Sequence, residues 1–180
     1  IALATVERVN ALAADQLINA VAAIEQMRLT TIQDVITIAF FFLLRPGECT
    51  GTTTGDQPFL LQDLRLYLGN REPQLTATTA EIEAATSVTC IFTTQKNGVC
   101  NKAISHGRLD DPLCCPVRAT TRRLLHHRRN NTPRNKPFAS FYSNNGTLIR
   151  IKAADITKAL KAAATACYHS TGIKAAKIIS

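Results

Sequence analysis

The chain has 180 residues, which suits one domain or slightly more, and its 46% apolar content with few aromatics and no Trp calls for a core of Ala, Leu, Ile and Val. The net charge of +8 is confined: Thr94 to Lys136 carries ten Lys and Arg against two Asp, while the remainder holds eleven of each sign. The longest apolar run, Val35 to Leu44, is broken by Thr37 and falls far short of the ~20 residues of a membrane span.

Residues 2 to 27 predict a helix, with Val6, Val9, Leu12, Leu17, Val21 and Ile24 near helical spacing. Thr30 or Thr31 can cap a second helix from about Ile32 to Arg45. That helix is apolar nearly all round and is expected at the centre of the fold, stopped by Pro46-Gly47. Residues 1–30 then form a helical lead-in or the end of a preceding segment, and 31–180 a partial main domain; with no Met at the start, the chain reads as a fragment.

A polar, Gly-rich loop follows, and FLLQDLRLYLG alternates as a strand ended by Gly69-Asn70. TATTAEIEAAT predicts a short helix or turn. Val88 to Thr94 and Val99 to Ser105 flank Asn97-Gly98 as a hairpin, giving a small antiparallel sheet of three strands. Pro116 fits the first position of a helix ending near Arg129. Val117, Thr121, Leu124 and Leu125 line one side of it, and Arg118, Arg122, His126 and Arg129 another. SNNG is a turn. A last helix runs from about Ala153 to Tyr168, with Ile156, Leu160, Ala163, Ala164 and Cys167 as its buried stripe and Lys158 and Lys161 outside. The fold class is α+β, mainly helical with a small three-stranded antiparallel sheet.

The six cysteines form no C-x-x-C pair and read as free thiols of a reducing, intracellular compartment. No secretory leader, P-loop, H-E-x-x-H or G-x-S-x-G is present, and His106 and His169 lack metal-ligand spacing, so neither a metal nor a cofactor is expected. His106 reads as a polar edge residue. The confined basic charge points to a polyanion, most often nucleic acid, with a solvated basic face as the plain alternative.

Arg45 leaves the greasiest segment of the chain, FFFLLRPGECTG. Two readings stand side by side. A cation at a helix C-terminus favours the dipole and the free carbonyls. A guanidinium fixed by a rigid helix can instead grip a phosphate with its planar fork. Glu48, three residues on, can brace it. Lys96 sits beside the Asn97-Gly98 turn, either as a solubility lysine or as an ammonium that donates a proton to a leaving oxygen.

The order of LLRPGE, a three-stranded sheet with Lys96 in its last hairpin, and a basic helix resembles the catalytic domain of the tyrosine recombinases. AFFFLLRPGECTG, TTQKNGVCNKAISHG, DDPLCCPVRA and ADITKALKAAA look most like the eukaryotic transposon-borne, Crypton-like branch, over about residue 30 to the end. The resemblance implies DNA breaking and rejoining with type IB topoisomerase chemistry, in site-specific recombination or integration of a mobile element. It implies Arg45 and Lys96 as catalytic residues on the scissile phosphate, with Glu48 behind Arg45, since fixed cations stabilise the charge gathering on a pentacoordinate phosphorane. It also implies double-stranded DNA as partner, a homo-oligomer on DNA for the full-length protein, and a nuclear location in a eukaryote. Lys102, Arg118, Arg122, Arg123 and Arg129 are assigned to the DNA backbone on charge and helix facing. The family's H-x-x-R motif and nucleophilic tyrosine are not identified. His126 to Arg129 has that spacing but reads as part of a basic face, and Tyr67, Tyr142 and Tyr168 read as packing residues. A chain without the nucleophile binds DNA weakly and does not cleave it; a non-catalytic DNA-binding relic and a helical interaction module with a basic face are the alternatives.

Overall fold

The computed structural model describes residues 2–51, 58–72, 77–92 and 101–171. It opens with one helix, α1 (Ala2–Phe42), where two helices are expected. Met27 to Ile32 contains neither Gly nor Pro, and the Thr30 and Thr31 hydroxyls donate to the carbonyls of Gln26 and Met27 at 2.9 and 2.8 Å. Back-bonded in this way, the threonines continue the helix instead of capping a new one. The expected lead-in and main domain are therefore joined inside a single helix. Its second half buries a stripe of Ile32, Val35, Ile38 and Phe42, but Phe40 is 72% exposed, so it is not enclosed all round.

α1 stops at Phe42, three residues before Arg45. Leu43 takes the left-handed conformation (φ 55°). Leu44 N–H donates to the Ala39 carbonyl at 2.9 Å and Leu43 N–H to that of Phe40 at 3.4 Å. This is a Schellman terminus with leucine where glycine is usual, and the buried Leu44 supplies its apolar contact. Pro46 does not end α1; it opens the short helix α2 (Pro46–Thr50), where a missing N–H costs nothing.

A 3₁₀ turn (Leu61–Asp63) leads into β1 (Leu64–Tyr67), so only the last part of FLLQDLRLYLG is strand. The turn is fixed by Asp63, whose carboxylate accepts from Leu60 N–H at 2.8 Å. α3 (Thr79–Glu83) starts with a capping box between Thr78 and Glu81, as the TTAE pattern requires. β2 (Ser87–Phe92) and β3 (Lys102–Gly107) complete an antiparallel sheet in the order β1-β2-β3. Asn97-Gly98 lies outside the described residues. The register is one residue off what a two-residue turn there demands: Phe92 faces Lys102, not Ala103.

α4 (Pro116–Arg129) has the expected limits. It packs against α1, and the sheet lies against α4. After it, β4 (Ser140–Tyr142) and β5 (Leu148–Arg150) form a hairpin across the SNNG turn; strands this short carry too little alternation to be read beforehand. α5 (Ala153–Thr171) closes the described chain, with Ile156 and Ala164 buried. Leu160 and Ala163, expected in its buried stripe, are exposed, and the Cys167 side chain lies outside the described residues. One core joins the second half of α1 to β1, β2, the start of α4 and the β4 hairpin, with Phe138, Phe141 and Ile151 wholly enclosed. Among the described residues no helix is long and apolar enough to cross a membrane.

Candidate nucleic-acid interface

Arg45 is exposed and stands just before α2. Glu48 meets Arg45 at the backbone, where Arg45 N–H donates to Glu48 Oε2 at 2.7 Å and caps α2. Among the described residues its guanidinium forms no ion pair. Neither reading of Arg45 rests on the end of α1 any longer, because the Leu43-Leu44 turn separates them. Among the described residues Arg45 is thus an unpaired cation on a pinned backbone. Lys96 lies outside the described residues. Lys102 is exposed at the start of β3.

On α4, Arg118, Arg122 and Arg129 fall within about 40° of one another at 100° per residue, along roughly 16 Å of helix. Arg118 and Arg122 are half-buried and Arg129 is exposed. Arg122 is held from below. Its Nε and Nη2 donate to Asp34 Oδ1 at 2.8 and 2.6 Å, and Asp34 is wholly buried while the Arg122 side chain is 38% exposed. Arg123 differs from its neighbour. Its side chain is 3% exposed and its Nε lies 3.3 Å from Asp34 Oδ2. Its Nη1 donates to Thr31 Oγ1 and to the Ser140 carbonyl. A guanidinium enclosed this way is an internal charge linking α1, α4 and β4, and the expectation that it contacts a DNA backbone is corrected.

Asp34 thus sits between two arginines. Burial raises its carboxyl above the ordinary range, against the pull of the Arg122 bonds and of both positive charges. Burial also lowers Arg123 to about 10, partly offset by Asp34. The cluster carries two positive charges against one negative, and the excess faces outward at Arg122. Asp34 was not singled out from the sequence. The signal was there: a lone carboxylate on the stripe that also carries Ile32, Val35 and Ile38.

His126, expected on the basic side, turns inward instead. Its Nε2 accepts from Tyr142 N–H at 3.1 Å, and the His127 ring is 2% exposed with Nδ1 3.3 Å from Thr132 Oγ1. Burial and the nearby Arg123 depress both imidazoles to about 4, so both are neutral at pH 7. Arg128 ties α4 to α3 by donating to the Ala77 carbonyl and to Thr79 Oγ1. His126-x-x-Arg129 is therefore split between interior and surface. Tyr142 lies in β4 with its phenol accepting from Thr132 Oγ1 at 3.2 Å, a packing residue. His106 sits on β3, an edge strand of the sheet, as expected, and its ring also meets Phe41 and Phe42 edge-on at 5.5 and 4.9 Å. Among the described residues no group of three His, Cys, Asp or Glu side chains is placed to hold a metal. Cys49, Cys90, Cys114 and Cys115 are free thiols, and burial pushes Cys49 up to about 12 and Cys90 up as well, which leaves both unreactive.

Compared with family models, with curated proteins and with solved structures, the chain gives no match.

Proposed function

We propose that the chain binds double-stranded DNA through the phosphate backbone, using Arg118, Arg122 and Arg129 on α4 together with Lys102 and Arg45. The observation that supports this most is Arg122, whose charge is held at the surface by a buried carboxylate that cannot itself reach solvent. A guanidinium fixed in advance loses little side-chain freedom when it meets a phosphate. Without sequence-reading contacts such binding is tolerant of sequence and sensitive to salt.

The finer reading is that of a tyrosine recombinase-type domain engaged in DNA breaking and rejoining, with Arg45 and Lys96 on the scissile phosphate. It rests on the quoted residues and their order. The second reading is a non-catalytic relic, favoured by Tyr142, whose phenol accepts from Thr132 Oγ1 at 3.2 Å as part of the packing.

Duplex retention measured between about 50 and 200 mM salt tests the proposal. Log affinity should fall linearly with log salt, and Arg122→Ala and Arg129→Ala should each make the slope shallower by about 0.9. Retention that ignores salt, or slopes that neither variant changes, would sink it. A nicked duplex that traps a covalent protein–DNA adduct separates the two finer readings: an adduct lost in Arg45→Ala supports strand transfer, and none supports the relic.

A further inference from the structure

A second site lies on another side of α4. A cleft of about 160 Å³ is lined by Leu61, Leu64 and Leu66 from the strand side and by Ile82 and Leu124 from the helix side. Leu124 and His127 lie about 120° or more round α4 from the arginine stripe, so this cleft is independent of the DNA reading. The three leucines are buried and form a wholly apolar floor. A cavity of about 150 Å³ with walls of this kind takes up one benzene ring.

The rest of the lining has a definite sign. Arg128 and Arg134 are the exposed members, whereas the carboxylate of Glu72 faces Arg65 at 3.6 Å. Arg128 is committed to the start of α3. Arg134 forms no ion pair among the described residues, and its backbone carbonyl is held by Gln62 N–H at 3.0 Å, which fixes the base of the side chain against the 3₁₀ turn. Thr132, on the same loop, adds a hydroxyl to the lining.

An apolar floor sized for one ring, with an unpaired guanidinium at its exposed side, has a matching ligand chemistry. We infer that this cleft binds a small aromatic carboxylate, its ring on Leu61, Leu64 and Leu66 and its carboxylate on Arg134. The ring gains from leaving water, and the carboxylate from a charge-assisted bond that an uncharged ring cannot make.

Methyl-region NMR of the whole chain tests this, with phenylacetate as probe and benzyl alcohol as an uncharged ring of similar size. Phenylacetate should shift the methyls of Leu61, Leu64, Leu66, Ile82 and Leu124 saturably, at about millimolar concentration. Benzyl alcohol should bind the same methyls about tenfold more weakly. Arg134→Gln, an exposed change that leaves the core intact, should bring phenylacetate down to the benzyl alcohol level and leave benzyl alcohol unchanged. The inference fails if neither compound shifts these methyls saturably. It fails equally if Arg134→Gln leaves the preference for phenylacetate in place. If an acidic, phenylalanine-containing peptide binds there about a hundredfold more tightly than phenylacetate, the cleft belongs to a partner protein and the small-molecule reading is overturned.

Discussion

Two residues carry information out of proportion to their size. Asp34 holds two arginines from inside the core, one of them fully enclosed. Removing its charge strands Arg123 without a counter-ion, and breaking a buried pair in this way costs about 3–5 kcal/mol. Asp34→Asn should therefore lower the urea midpoint strongly and loosen Arg122, weakening DNA retention beyond the simple loss of folded protein. A midpoint unchanged from the native chain would contradict the buried pair. Leu43 is the opposite case, an 87% exposed side chain held at φ 55°. The left-handed region costs a non-glycine residue about 1–2 kcal/mol, and glycine's larger unfolded-state entropy returns part of that. Leu43→Gly should raise stability by about 0.5–1 kcal/mol and Tm by roughly 2 °C. A lower Tm would show that Leu43 makes contacts that outweigh the strain.

Among the elements, α4 does the most. One side packs on α1 and the sheet, one bears the arginine stripe, and its C-terminal turn sends two histidines against β4. The pH dependence belongs here. In the unfolded chain each histidine takes a proton near pH 6.5, but in the fold only near pH 4. Between those values the unfolded state binds more protons, so stability rises with pH. It should be full above about pH 6.5 and fall as pH drops from 6.5 towards 4, by at most about 1.4 kcal/mol per pH unit for each histidine. Urea titrations at pH 7, 5.5 and 4.5 measure it directly. A flat profile would mean that the imidazoles take up protons without leaving their partners. The limits of α4 were legible in the sequence because Pro116 and the polar NN after Arg129 mark them. The facing of its individual residues was legible for Val117, Thr121 and Leu125, and misleading for Arg123 and His126. Charge marks a residue as a surface candidate, but a partner such as Asp34, far away in the chain, reverses that.

At the scale of the whole molecule, composition and pattern determined an α+β chain with a three-stranded antiparallel sheet. They also determined the confinement of the net charge and the segments that carry it. These follow from local chemistry: apolar periodicity, turn residues and the count of charged side chains in a window. The continuity of α1 through Thr31, the leucine-capped turn before Arg45 and the Phe92–Lys102 register were decided only by the tertiary structure. In each, a contact between distant or back-bonded groups outweighs a local preference. The same holds for the sorting of the arginines into surface (Arg122, Arg129) and interior (Arg123), and for the cleft beside Arg134. Burial depends on what another segment brings to the same place, and the linear order of residues does not contain that until the chain has folded.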